Sequence, residues 1–277
     1  VILFLIQIGG MGVVTVSVAV AIFSGRKISL MQRSTMRESI SAPQVGGIVR
    51  MTEFILKTVF LVELLGAVAM APVFVRDFGF LKGVWYAMFH SISAFCNAGF
   101  DLIGIRSPFS SLTTYASQPV INLTIMALIT IGGLGFAVWG DIRKNRRFSR
   151  LSVYSRLVVA ISLGLTLGGA AVIALLEWNN PGTIGGLTAG GKVLASLFQS
   201  VTLRTAGFAS FDQNALRDVT KAVCDVLMFV GGSSGSTAGG VKTVTVGVLV
   251  LAAVGTARGR THITAFKRTI PQSTVAN

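Results

Sequence analysis

The sequence predicts an all-α integral membrane fold in which long spanning helices alternate with shorter re-entrant half-helices. Three observations lead to this prediction. Apolar residues make up 52% of the 277 residues and charged residues only 12%, well below the roughly 25% charged residues of soluble domains. The apolar residues are gathered into long windows, and two short motifs recur along the chain. An ordinary soluble domain is therefore excluded.

Four uninterrupted apolar windows and one interrupted window provide the spanning helices. The uninterrupted windows cover about 1–23, 54–75, 120–140 and 156–177, and the interrupted one covers about 219–257. Each of the first four is close to the ~20 residues with which a helix crosses the hydrocarbon core. We therefore expect a multi-pass protein of the cell membrane.

The net charge of +14 comes largely from basic residues in three connectors between these windows. The basic residues are Arg26, Lys27, Arg33, Arg37 and Arg50; Arg143, Lys144, Arg146, Arg147, Arg150 and Arg156; and Arg258, Arg260, Lys267 and Arg268. Loops rich in Lys and Arg lie on the cytoplasmic side of membrane proteins, so these connectors are expected to be cytoplasmic. Topology thus explains the charge without nucleic acid, although the same patches suit anionic lipid or an acidic partner.

Two shorter apolar stretches must begin and end on the outer side if the basic connectors are cytoplasmic. They are GVWYAMFHSISAF (83–95) and KVLASLFQSVTL (192–203). A helix of about twelve residues is roughly 18 Å long, which is too short for the ~30 Å hydrocarbon core. We expect re-entrant half-helices, each followed by backbone that is buried in protein or lines a watery cavity.

The tripeptide Ala-Gly-Phe follows both half-helices. One copy lies in SAFCNAGFD (93–101) and the other in TLRTAGF (202–208). The residues before them also correspond, FHSIS (89–93) to FQSVT (198–202). The two stretches are therefore expected to be copies of one structural unit.

A glycine pair recurs in the helices that return to the cytoplasm. IQIGGMG (6–12) resembles ITIGGLG (129–135), and Gly231-Gly232 provides a third pair. The repeating unit is then an outward helix, a half-helix, a turn and an inward helix, with all copies in the same orientation. Internal repeats of this size are common in transporters. We expect the pairs at 9–10 and 132–133 to be sites of close helix packing.

The turns after the half-helices suit coordination of a monovalent cation. Glycine allows backbone angles at which several carbonyls face one axis, and rings of carbonyls replace the hydration shell of K⁺ in channel filters. The C-terminal end of each half-helix would add partial negative charge. The residues expected to form this filter are Asn97, Ala98, Gly99, Phe100, Thr205, Ala206, Gly207 and Phe208. The alternative is that they form plain turns.

Together these motifs resemble the Trk/Ktr/HKT superfamily of potassium transporters, and most closely the KtrB- and TrkH-like membrane subunits. The resemblance rests on SAFCNAGFD, TLRTAGF, both GG-[ML]-G helices and GGSSGSTAGGVKT (231–243). It implies a potassium-channel-like, pseudo-fourfold fold of four membrane–pore–membrane units. It also implies transport of K⁺, with Na⁺ as a possible substrate, by a protein that is not an enzyme and has no cofactor. A homodimer docked on a cytosolic nucleotide-binding regulatory ring, KtrA/TrkA-like, is the implied assembly.

The comparison also divides the chain. Residues 1–30 correspond to the last helix of unit one and 31–49 to a cytoplasmic connector. Residues 50–150 and 151–270 correspond to units two and three, and 271–277 to a truncated tail. We therefore expect a fragment that carries two of four pore quadrants and does not conduct alone.

The stretch GGSSGSTAGGVKT interrupts the last apolar window. It is not a phosphate-binding loop, because Val241 separates Gly240 from Lys242 where that motif requires Gly-Lys. The resemblance implies a movable gate below the filter. The gate residues are Gly231, Gly232, Ser233, Ser234, Gly235, Ser236, Thr237, Ala238, Gly239, Gly240, Lys242 and Thr243. A packing kink is the alternative.

Two other functions stay open at this point. One is a secondary transporter of a small anionic solute that uses the broken helix and Lys242, and the other is a non-conducting scaffold. Among the remaining polar residues, Arg204 is expected to secure its turn by hydrogen bonds, and Glu63 and Asp225 are each expected to pair with a polar neighbour in the helix bundle. His90 and Gln199 are expected to support the half-helices.

Overall fold

The computed structural model describes residues 1–12, 16, 48–105, 108, 110–258, 263–266 and 268–270. The expected tail at 271–277 and the expected connector, apart from residues 48 and 49, lie outside this part of the chain. Of the expected last helix of unit one, only residues 1–12 and 16 lie within it.

Nine α-helices run through the described part. They are α1 (Ile2–Met11), α2 (Ile48–Phe78), α3 (Phe80–Phe95), α4 (Pro119–Leu134), α5 (Phe136–Asn145), α6 (Val153–Glu177), α7 (Ala189–Thr202), α8 (Asp218–Phe229) and α9 (Thr243–Ala257). Short 3₁₀ helices lie at Ile103–Ile105, Thr113–Tyr115 and Phe148–Arg150. Two strands, β1 (Ile263–Ala265) and β2 (Arg268–Ile270), pair antiparallel beyond α9.

Within the described ranges, α2 and α6 are each long and apolar enough to cross a membrane. At 1.5 Å per residue they are about 46 and 38 Å long. Large apolar side chains such as Phe60, Leu64 and Leu163 are more than half exposed. Exposure of such side chains is favourable in contact with lipid and unfavourable in contact with water. The expected spans 54–75 and 156–177 are confirmed, with three to six more residues at the N-terminal end of each.

Helices α3 and α7 take the place of the two expected half-helices. They contain 16 and 14 residues, or about 24 and 21 Å, and therefore remain shorter than the ~30 Å hydrocarbon core. Only Gly79, with φ 78°, separates α2 from α3, so the two helices form a tight hairpin. A Cβ on Gly83 would lie 2.4 Å from Cα of Val75, which shows how closely the hairpin packs.

The returning helix expected over 120–140 is broken, and here the expectation of one straight inward helix is wrong. Helix α4 ends at Leu134 and α5 starts at Phe136, with a bend of 95° between them. Gly135 at the break has φ 88°. The backbone next to Gly135 is hydrogen-bonded to a distant segment, since Phe136 N donates to the carbonyl of Gly235 at 2.8 Å.

The expected break in the last window is confirmed. Helix α8 ends at Phe229 and α9 begins at Thr243, so the 13 residues 230–242 lie between them. The glycine-rich loop (231–243) consists of these residues without Val230, together with Thr243, the first residue of α9. The main apolar core lies between α2, α3 and α4, where Phe74, Phe95 and Ile125 are fully buried. This core holds the end of α3 in a fixed position.

Candidate functional site

The two Ala-Gly-Phe turns face each other in the middle of the molecule. We call 97–100 turn one and 205–208 turn two. A Cβ placed on Gly99 would lie 2.4 Å from the carbonyl oxygen of Ala206 and 2.9 Å from Cα of Gly207. A Cβ on Gly207 would lie 3.2 Å from Cα of Gly99. The turns therefore meet backbone to backbone, and only glycine fits at the contact.

Both turns have the same alternating backbone. The φ angle is positive at Asn97 (50°) and Gly99 (72°), and again at Thr205 (64°) and Gly207 (87°), while the alanine between each pair is not in this region. Positive φ is uncommon for residues other than glycine and is often found at functional sites. Alternating φ breaks the helix and also prevents a strand, so successive carbonyls need not point to opposite sides as they do in a strand.

A hydroxyl from each half-helix holds the phenylalanine carbonyl of its own turn. Ser93 Oγ donates to Phe100 O at 2.7 Å, and Thr202 Oγ1 donates to Phe208 O at 2.7 Å. These two carbonyls therefore face the half-helices. Within the described part of the chain, the other six carbonyls of the turns accept no hydrogen bond.

The C-terminal end of each half-helix lies at its turn. Ala98 N donates to Ser93 O at 2.9 Å, and Ala206 N donates to Thr202 O at 3.0 Å. The last carbonyls of a helix have partial negative charge. Both turns consequently lie at the negative end of a helix.

His90 and Gln199 were expected to support the half-helices, and in the structure they also secure the segments that follow the turns. The His90 ring nitrogens lie 2.7 Å from Tyr86 O and 3.3 Å from Leu102 N, so Nδ1 donates and Nε2 accepts. Gln199 Nε2 donates to Gln213 Oε1 at 2.6 Å. Each half-helix is therefore hydrogen-bonded to its own turn and to the segment that follows the turn.

The glycine-rich loop is hydrogen-bonded to both turns. Thr237 Oγ1 donates to Phe95 O at 2.8 Å and accepts from Asn97 Nδ2 at 2.7 Å. Gly239 N donates to Thr205 Oγ1 at 3.0 Å. One loop thus contacts the first residue of turn one and the first residue of turn two.

The same loop fills the break between α4 and α5. Ser233 N donates to Gly133 O at 3.0 Å, and Thr237 N donates to Gly132 O at 3.2 Å. A Cβ on Gly132 would lie 2.1 Å from Phe95 O. Gly132 therefore packs closely, as expected, but against the end of α3 and Thr237, whereas a Cβ on Gly133 would lie 4.0 Å from Cβ of Ala238, an ordinary contact. The bend at Gly135 is explained by these contacts.

The two ends of the loop pair with each other. Gly231 N donates to Val241 O at 3.0 Å, and Thr243 N donates to Gly232 O at 3.1 Å. Lys242 Nζ donates to Ala238 O at 3.1 Å. The lysine therefore closes the loop on itself, and its ammonium group is not held by turn one or turn two.

Arg204 does not have the contacts expected of it. The residue is 7% exposed, yet its Nε has no hydrogen-bond partner, and no carboxylate forms an ion pair with it in the described ranges. The expectation that hydrogen bonds of this side chain hold turn two is therefore wrong. Thr202 and Gln199 hold the turn instead. Asp225, also expected to pair within the helix bundle, is exposed on α8.

The supporting hydroxyls were not among the residues singled out from the sequence. Ser93 and Thr202 occupy matching positions in FHSIS and FQSVT. A small hydroxyl residue at the end of both copies is a signal that could have identified them. The bend at Gly135 has a comparable signal, because this glycine recurs as Gly12 in IQIGGMG, and both glycines end a helix with positive φ (88° and 80°).

The chain is similar to several known cation transport proteins. A family profile described as "TrkH: Cation transport protein" matches residues 2–277. The potassium/sodium uptake protein NtpJ of Enterococcus hirae is 35% identical over 274 residues, which cover 99% of this chain and 59% of that protein. The Ktr system potassium uptake protein B of Bacillus subtilis is 37% identical over 270 residues, covering 98% and 60%.

Among solved structures, the potassium transporter TrkH from Vibrio parahaemolyticus has the same fold. The TM-score is 0.67 at 20% sequence identity, and the match covers 99% of this chain and 53% of that one. The chain therefore spans about three fifths of the length of the curated relatives and about half of the length of the solved structure.

Proposed function

This chain belongs to the TrkH family of cation transport proteins, and we propose that it forms part of a transmembrane pathway for K⁺. Turn one and turn two line the narrowest part of this pathway and present main-chain oxygens to the ion. Na⁺ is the second candidate ion, since one relative is named for uptake of both. Residues 50–150 and 151–270 act as two successive pore units.

The observation that supports this proposal best is the contact between the turns. Two copies of one motif lie backbone to backbone, each at the negative end of a half-helix, and six of their carbonyls have no hydrogen bond in the described part. Most of these residues are only half-buried and Gly207 is exposed, and backbone carbonyls inside a membrane protein need a partner. Coordination of a monovalent cation satisfies them, as in the filters of K⁺ channels.

The glycine-rich loop is the proposed gate. Its hydrogen bonds to Asn97, Phe95 and Thr205 place it directly beside both turns. Its serines and threonines supply the polar contacts that non-helical backbone requires inside a membrane. Lys242 donates to the loop itself. This contact favours a role of the lysine in closing the loop over a role in binding an anionic solute.

The assembly implied by the sequence is part of the same proposal. A homodimer would bind a cytosolic nucleotide-binding ring through the basic connectors. Arg143 and Lys144 lie in the last turn of α5, beyond the 95° bend. Their position past the apolar part of α4 agrees with the cytoplasmic location that the positive-inside rule indicates.

Potassium uptake by cells that lack their own potassium transporters tests the function. Gly99→Ser and Gly207→Ser place a side chain where the turns meet and should each abolish uptake of the full-length protein. Gly104→Ser is the matched control, because among the described residues, apart from its two chain neighbours, no atom lies within 4 Å of a Cβ at that position. Unchanged uptake with both turn variants, at equal amounts of protein in the membrane, would reject the proposed pathway.

A further inference from the structure

Glu63 joins three helices directly behind turn one. The residue lies on α2 and is only 5% exposed. Its Oε1 accepts a hydrogen bond from Gln7 Nε2 on α1 at 3.0 Å and one from Cys96 Sγ at 3.9 Å. Its main-chain carbonyl accepts from Ser91 Oγ on α3 at 2.6 Å. One residue therefore contacts α1, α3 and the residue that caps α3.

Cys96 connects this cluster to turn one. It is the C-cap of α3 and immediately precedes Asn97, and its N–H donates to Ile92 O at 2.9 Å. A Cβ on Gly10 of α1 would lie 2.4 Å from Cys96 Sγ. The thiol is thus enclosed between α1 and the Glu63 carboxyl, and a shift of either group would move the start of turn one.

The Glu63 carboxyl has no cationic partner within the described residues. Both side chains that reach it, those of Gln7 and Cys96, are neutral donors. A buried carboxyl without a counter-charge is unfavourable in a membrane helix, and such residues usually have a function. A glutamine at this position can accept both hydrogen bonds through its carbonyl, whereas a leucine can accept neither.

We propose that Glu63 is a positioning residue for turn one, and that it acts by accepting hydrogen bonds and not by its charge. It links α1 to Cys96 and so fixes the backbone angles at Asn97 and Gly99. This inference rests on the proposed function. It adds that the preference for K⁺ over Na⁺ depends on a residue that does not contact the ion.

Uptake kinetics of the full-length protein provide the first test. Glu63→Leu and Gln7→Leu should lower the ratio of K⁺ to Na⁺ uptake about fivefold or more, since each removes a hydrogen bond of about 1 kcal/mol. Glu63→Gln should keep the ratio. Glu53→Gln, an exposed carboxyl on the same helix, is the control for loss of a charge. A Glu63→Gln variant with the Glu63→Leu phenotype would overturn the proposal, as would a Glu63→Leu variant with an unchanged ratio.

Alkylation of Cys96 provides a second test that does not require transport. All other cysteines, Cys224 included, are replaced by serine, and membranes are treated with a maleimide. Because Cys96 is 5% exposed, labelling should be slow, about tenfold faster in Glu63→Leu, and slow again in Glu63→Gln. Equal labelling rates in all variants would refute the link between Glu63 and turn one. Faster labelling without any potassium uptake by the parent protein would contradict the proposed function alone.

Discussion

Thr237 and Asn97 are joined by a hydrogen bond of 2.7 Å although 140 residues separate them in the chain. The same threonine hydroxyl donates to Phe95 O at 2.8 Å. One side chain of the glycine-rich loop therefore holds both the last residue of α3 and the first residue of turn one. The loop is fixed to the turn itself and not merely packed below it.

Replacing this threonine should loosen the gate. Thr237→Val keeps the shape of the side chain but removes both hydrogen bonds, each of about 1 kcal/mol. We expect faster K⁺ uptake, by about fivefold or more, with little change in affinity. Thr237→Ser retains the hydroxyl and is the control. Equal or slower uptake by Thr237→Val, together with normal amounts of protein, would contradict a gating role for this contact.

The two supporting hydroxyls should determine selectivity. Ser93→Ala and Thr202→Ala free the carbonyls of Phe100 and Phe208, which then have no fixed direction. We expect each variant to reduce the preference for K⁺ over Na⁺, and Thr202→Ser to preserve it. Competition of Na⁺ with K⁺ uptake measures the effect. If all three variants keep the parent's preference for K⁺ over Na⁺, these hydroxyls do not shape the turns.

An added methyl group should have different effects at the two glycines of the α4 pair. A Cβ on Gly132 would lie 2.1 Å from Phe95 O, whereas a Cβ on Gly133 would lie 4.0 Å from Cβ of Ala238. Gly132→Ala should therefore abolish uptake or folding, and Gly133→Ala should be tolerated. The amount of folded protein in detergent and the uptake rate are measured together. If Gly132→Ala is tolerated as well as Gly133→Ala, Gly132 does not pack closely against Phe95.

The C-terminal end of α6 offers a prediction of stability. Glu177 is fully buried, and its carboxylate accepts from Asn180, Thr183, Thr220 and the N–H of Arg217. Glu177→Gln replaces one acceptor oxygen by a donor and should destabilise the protein by about 1–3 kcal/mol. Thermal unfolding in detergent measures this loss.

The control for Glu177 is Asp218→Asn, since the Asp218 side chain is fully exposed and lies 3.6 Å from Lys221. Exposed ion pairs contribute about 1 kcal/mol or less, so this variant should unfold nearly like the parent. A Glu177→Gln protein with the same unfolding temperature as Asp218→Asn would show that the four donors do not stabilise this end of α6.

Most of the helices could be predicted because each depends on local composition. The apolar windows around 54–75 and 156–177 and the half-helices before both Ala-Gly-Phe motifs follow from length and hydropathy alone. Duplication then indicated which glycines belong to the turns, because Gly99 and Gly207 occupy the same place in two copies. The structure brings these two glycines together, and the shared axis for their carbonyls stays a prediction.

The features that the sequence did not predict depend on contacts between distant segments. Gly135 bends its helix by 95° because the loop at 231–243 donates to and accepts from the backbone there. Arg204 is buried without the hydrogen bonds expected of it. The surroundings of Arg204 are not visible in a local pattern, because arginine beside a turn is compatible with several environments. The third glycine of the repeated motif marks a helix end at both Gly12 and Gly135, but the size of the bend depends on the loop.

Location of a heavy K⁺ analogue tests the central claim most directly. Crystals or frozen grids of the full-length protein prepared with Tl⁺ or Rb⁺ would show where the ion binds. The account predicts an ion peak at coordination distance from carbonyls of residues 97–99 and 205–207, beside the contact of Gly99 with Gly207. An ion bound elsewhere along the pathway, with those carbonyls turned away from it, would contradict the account.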